Sequence, residues 1–117
     1  MKLIAVLLLA LAACGGADPL VEAGQSLASD KGCASCHSVD GSKGVGPTWK
    51  GLYLTNVELE GAGPVLADRA YLRESMLQPS AKTVAGFKHG LMEQLIPANS
   101  LSDDEVKALI AYIESLR

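Results

Sequence analysis

Cys33-Ala34-Ser35-Cys36-His37 gathers two thiols and an imidazole into five positions. Cysteines three apart on a helical turn face the same side, so both sulfurs can reach the two vinyl groups of one porphyrin. Cys-x-x-Cys-His is the pattern of covalent haem attachment. His37 follows at once, where its imidazole can bind iron from the same face, and a proximal His is a common haem ligand. Two other chemistries use the same cysteines. A thioredoxin-like redox pair belongs beside a strand-helix-strand pattern, and strand signal is scarce in this chain. A zinc ribbon needs a second ligand pair, and His89 is the only other histidine. Haem attachment alone accounts for His37 as well. One covalent haem c is the expected cofactor.

The opposite face of the iron needs a ligand, for which sulfur from Met or nitrogen from a second His are the usual protein choices. Met76, His89 and Met92 are the candidates, because Met1 belongs to a segment expected to be removed. Met76 recurs with Leu72 at core-like helical spacing and reads as packing. Met92 and His89 stay open on the residues alone.

The elements that must position these groups are helical. Asp18-Pro19 is an N-cap followed by Pro at the first helical position, opening a helix to about Ser29 with Leu20, Gly24 and Leu27 along one side. Lys31-Gly32 ends it directly before the motif. Residues 39–53 are loop-like, with four glycines and Pro47. Val57 and Leu59 alternate with Glu58 and Glu60, then Gly61-Ala62-Gly63-Pro64 turns toward Val65, which predicts a small hairpin. Asp68 caps a middle helix from Arg69 to about Gln78, stopped by Pro79. Residues 80–101 read as irregular. Ser102 and Glu105 form a capping box, and Val106, Leu109, Ile110, Ile113 and Leu116 follow at helical spacing.

The chain has 117 residues, enough for one domain, and is poor in bulky core residues: one Phe, one Trp and three Tyr. A small core of this kind gains from a bound group as a staple. The formal charge of −3 and the lack of any Lys/Arg run argue against nucleic acid as a partner. Met1-Lys2 and an apolar run through Ala13 are too short to span a bilayer, which takes roughly 20 residues, and match an export signal. Leu11-Ala12-Ala13-Cys14 resembles the lipobox of bacterial lipoproteins. Residues 1–13 are therefore expected to be a lipoprotein signal peptide, 14–17 a lipidated Cys14 with a short tether, and 18–117 the functional domain. Simple cleavage would instead leave a free thiol at Cys14, a liability in an oxidising compartment.

Three further segments accompany the motif: Gly44-Val45-Gly46-Pro47-Thr48, the run from Ala67 to Ser75, and Leu109-Ile110-Ala111-Tyr112-Ile113. With these the mature chain resembles class I cytochromes c over residues 20–116. It is most similar to the cytochrome domain of terminal oxidase subunit II, here without the copper-binding domain and on its own lipid anchor. The resemblance implies an all-α fold of three to four helices around one covalently bound haem. It implies that the carbonyl of Pro47 accepts a hydrogen bond from His37, and that Gly24 and Tyr112 mark a close crossing of the first and last helices. It also implies Met92 as the sixth ligand, approached through Phe87-Lys88-His89-Gly90-Leu91, with His89 the alternative. Glu93 departs from the family, which usually has Pro directly after the ligand.

The implied role is an electron carrier and not an enzyme, passing single electrons in a respiratory chain. Its expected partners are redox proteins such as a terminal oxidase, a reductase or a quinol-oxidising complex, on the periplasmic or other extracytoplasmic side of a membrane. The rival function is a haem-based sensor or enzyme whose sixth position opens to a gas or peroxide. Lys31, Lys43, Lys50, Lys82 and Lys88 lie in segments expected to border the haem, which predicts a positive edge on an otherwise acidic protein.

Overall fold

The computed structural model describes residues 15–117, so the expected signal segment and Cys14 lie outside the described residues. Helix α1 spans Pro19–Asp30, and the Asp18 carboxylate accepts from the Leu20 amide at 2.9 Å. Asp18 thus satisfies one of the unpaired amides that every helix start exposes. Gly24 and Ala28 are buried, with Val21 and Leu27 packed beside them. Leu20, expected on this face, is instead exposed. Leu20 stands in the first turn, at the N-terminal end of the helix and four residues before the crossing at Gly24.

Strands β1 (Asn56–Leu59) and β2 (Gly63–Leu66) form the antiparallel hairpin, with Val57 opposite Val65. A later segment closes against this hairpin. Leu59 bridges to Val84, the Glu60 amide donates to the Thr83 carbonyl at 2.8 Å, and the Ala85 amide donates to the Glu58 carbonyl at 2.9 Å. Helix α2 (Arg69–Leu77) begins with Asp68 accepting from the Tyr71 amide at 2.8 Å, and Leu72 and Met76 are buried on one face.

A short helix, α3 (Leu91–Leu95), interrupts the stretch read as irregular over 80–101. Sequence patterning missed it because five residues are too few to display a helical period. A helix that short does not form alone in water, so tertiary contacts must impose it. Helix α4 (Asp103–Ser115) carries the capping box as expected: the Ser102 hydroxyl accepts from the Glu105 amide at 3.1 Å, and the Glu105 carboxylate accepts from the Ser102 amide at 3.2 Å. Three acidic residues in its first turn complement the positive end of the helix dipole.

Helices α1 and α4 make the most extensive contact between elements. A Cβ at Gly24 would fall 2.0 Å from the Ala108 carbonyl oxygen and 2.7 Å from the Tyr112 Cβ, so only glycine permits this crossing. Val106, Leu109 and Ile113 are fully buried beneath it and meet Ala28, Trp49, Leu72 and Met76 in one core. The result is a mostly helical protein with one small hairpin. Among the described residues, no helix is long and apolar enough to cross a membrane.

Candidate functional site

Gly32, in the left-handed region at φ +80°, turns the chain out of α1 into a 3-10 turn over Cys33–Ser35. The amides of Cys36 and His37 both donate to the Cys33 carbonyl, at 3.1 and 2.9 Å, so the motif is wound into one tight turn. Cys33 is buried and Cys36 half-buried, both as free thiols. Burial pushes the Cys33 thiol up, against a smaller lowering by its own backbone hydrogen bond and by Lys31. A catalytic thiol of a disulfide oxidoreductase needs the opposite shift, toward thiolate.

The loop after the motif returns to hold the imidazole. His37 Nδ1 lies 2.7 Å from the Pro47 carbonyl oxygen, and that carbonyl can only accept, so Nδ1 carries the proton. Nε2 is left with the free lone pair, the arrangement of a metal-ligating histidine whose other nitrogen donates to backbone. Burial holds the His37 pKa below its usual value despite an opposing push from Pro47, which keeps the ring neutral near pH 7. Trp49 stacks on the imidazole, with ring centroids 5.1 Å apart and planes 19° from parallel. Tyr112 meets the indole edge-on at 6.1 Å, linking the site to the α1–α4 crossing.

Glycine sets the loop's closeness. A Cβ on Gly46 would fall 2.7 Å from His37 Cε1, so a methyl there would occupy the space of the ring. The loop is pinned by the Ser38 hydroxyl donating to Thr48 Oγ1 at 2.8 Å and by the Trp49 amide donating to the Ser38 carbonyl at 2.8 Å. The contribution of Trp49 was not read from the sequence, although it is the only tryptophan and follows Gly-Pro-Thr directly.

These groups face a largely apolar cleft that opens to solvent. Cys33, Cys36 and His37 form one wall, and residues 82–92 form the other. A smaller inner cavity behind it is lined by His37, Trp49, Leu72, Met76, Met92 and their neighbours. Met92 and His37 line both spaces, whereas His89 lines the outer cleft only. His89 is exposed, with Nδ1 2.6 Å from the Thr83 hydroxyl. Met76 lines the inner cavity but is packed into the core, 5% exposed.

The lysines divide. Lys31, Lys82 and Lys88 line the cleft, and Lys43 lies 5.3 Å above the ring of Phe87 in its wall. Lys50 is not part of the lining. Lys31 pairs with Glu105 at 3.4 Å and Lys82 with Glu74 at 2.5 Å, which leaves Lys43 and Lys88 of the five lysines expected on the positive edge. Lys43 and Lys88 make no ion pair with a described residue.

Two sulfurs and one neutral imidazole on the wall of an apolar cleft fit a covalently attached haem c. Fold and site together define a class I mono-haem c-type cytochrome. Comparison with known proteins agrees: the family model for cytochrome c matches residues 21–117. A cytochrome c-551 of Stutzerimonas stutzeri is 31% identical over 119 aligned positions, which span the whole of both chains. The chain belongs to the cytochrome c family, electron carriers with one covalently bound haem c.

Proposed function

We propose that this protein is an exported, lipid-anchored cytochrome that carries single electrons between membrane-associated redox partners of a respiratory chain. A quinol-oxidising complex or reductase would be its donor and a terminal oxidase its acceptor. Cys33 and Cys36 would hold the haem, and His37 and Met92 would ligate its iron. The observation that carries this reading is that Met92, unlike His89, shares the inner cavity with His37.

When bound, the haem supplies a one-electron iron couple. The protein's own groups do the rest. Pro47 and Trp49 orient the imidazole, and the apolar walls keep water from the iron, both of which tune the potential. With His37 and Met92 both ligating its iron, the haem would take no substrate, and electrons would pass through the cleft mouth. The Cys14 anchor and its three-residue tether, at most roughly 11 Å long, keep the domain close to the bilayer and its complexes.

Optical spectra of the mature protein in both redox states test the reading, together with haem staining after denaturing electrophoresis. The expected result is haem that survives denaturation, a long-wavelength Met–Fe(III) band in the oxidised form, and a reduced form indifferent to carbon monoxide. Ready carbon monoxide binding would favour the sensor or enzyme instead. Cell fractionation of wild type and Cys14→Ser tests the anchor: the wild type should follow the membrane and the variant should not.

A further inference from the structure

Helix α3 carries Met92 and is held by very little of its own. It is five residues long, and its N-cap, Gly90 at φ +79°, has no side chain to cap it. Glu93 occupies the third position of its first turn, from which a glutamate commonly reaches back to the helix's own N-cap amide. It does not do so here. Its carboxylate instead accepts a hydrogen bond from the Ser80 hydroxyl, in a partly buried contact across 13 residues of chain.

Ser80 sits just beyond the end of α2. The same stretch also holds the chain four residues beyond α3. The Asn99 amide donates to the Leu77 carbonyl at 2.9 Å, and Gln78 Nε2 donates to Asn99 Oδ1 at 3.2 Å. Asn99 is one of two non-glycine residues in the left-handed region among the described residues, at φ +56°. Residues 77–80 therefore contact this segment within α3, at Glu93, and again past its C-terminal end, at Asn99. Between these two holds, Ile96 is the one buried side chain, and Ile96 N–H bonds back to the Met92 carbonyl at 2.8 Å.

We infer that Ser80 and Glu93 are positioning residues for the sixth ligand: their hydrogen bond clasps α3 to the end of α2 and keeps Met92 turned into the inner cavity. This rests on the assignment of Met92 as ligand. A hydrogen bond to a charged group of this kind, partly buried, corresponds to about a tenfold change in an equilibrium that breaks it. Opening the sixth position is such an equilibrium, because α3 must swing away for an outside ligand to enter.

The test is imidazole titration of the oxidised holoprotein, followed through loss of the Met–Fe(III) band. Ser80→Ala and Glu93→Ala should each raise imidazole affinity about tenfold, and the double variant should add little to either, since both break one contact. Ser80→Thr, which keeps the hydroxyl, should stay near wild type. A merely structural role would lower the melting temperature and leave imidazole affinity alone. If Glu93→Ala fails to mature, Ser80→Ala removes the same contact from the other side. Met92→Ala separates the two levels. A band that survives Met92→Ala overturns the ligand assignment and the clasp with it. A band lost in Met92→Ala, with imidazole affinity unchanged in both single variants, overturns the clasp alone.

Discussion

Gly24 of α1 lies against the backbone of Ala108 in α4, so close that a methyl group at position 24 would stand 2.0 Å from the Ala108 carbonyl oxygen. The obstacle is main chain inside a helix, which cannot rotate aside as a side chain would. Tyr112, one turn further on, supports the Trp49 edge and through it the His37 stack. The crossing therefore bears on the orientation of His37 as well as on the core.

Gly24→Ala should destabilise the holoprotein by about 3 kcal/mol, at the upper end of the usual cost of overpacking. Denaturant unfolding measures this. A loss under 0.5 kcal/mol would mean that the helices can slide apart freely.

Met92→Ala should abolish the long-wavelength Met–Fe(III) band and lower the reduction potential, because Met/His ligation raises it. His89→Ala should do neither, as its ring is held by Thr83 outside the inner cavity. Spectra and potentiometric titration of the two variants decide the matter, and the reverse pattern would give the sixth position to His89.

Acid should weaken the fold through identifiable carboxylates. Hydrogen bonds from Arg69 hold Glu114 below its ordinary 4.5, and Arg73 likewise holds Asp103 below 3.8. A carboxylate lowered in the folded state contributes stability that is complete above its unfolded value and disappears as pH falls through the folded one. The share of stability that these carboxylates contribute should thus be complete above about pH 5 and decline below about 4.5. In Arg69→Ala the neutral-pH stability should be lower and the decline shallower. Melting temperature against pH for both proteins checks this, and identical slopes would contradict it.

Electron transfer with the physiological partner should slow as salt rises, since screening acts over about 10 Å at 0.1 M ionic strength. Charge reversal at Lys43 and Lys88 should slow it further. Reversing Lys31 and Lys82 should have a smaller effect, because Glu105 and Glu74 already offset those charges. Second-order rates across ionic strength distinguish the pairs. Rates flat with salt and equal in all variants would remove any steering role from these lysines.

Local signals in the sequence determined much of this protein. The haem motif is five adjacent residues, and the caps at Asp18, Asp68 and Ser102 act within one turn, so neighbours in sequence suffice to read them. Long amphipathic periods did the same for α4, and the alternation before Gly61 did so for the hairpin. Family resemblance then pointed to the Pro47 contact and the Gly24 crossing, neither of which spacing alone implies. Tertiary structure decided the rest. Helix α3 is too short to form by itself and is joined to a distant segment by the Ser80–Glu93 hydrogen bond, a contact that no periodicity records. Trp49 reached the imidazole only when the loop after His37 folded back. Lys31 and Lys82 met their carboxylates across 74 and 8 residues of chain, a pairing that composition cannot show. Short-range chemistry is written in neighbouring residues, whereas contacts between distant segments arise only once packing has fixed which faces meet.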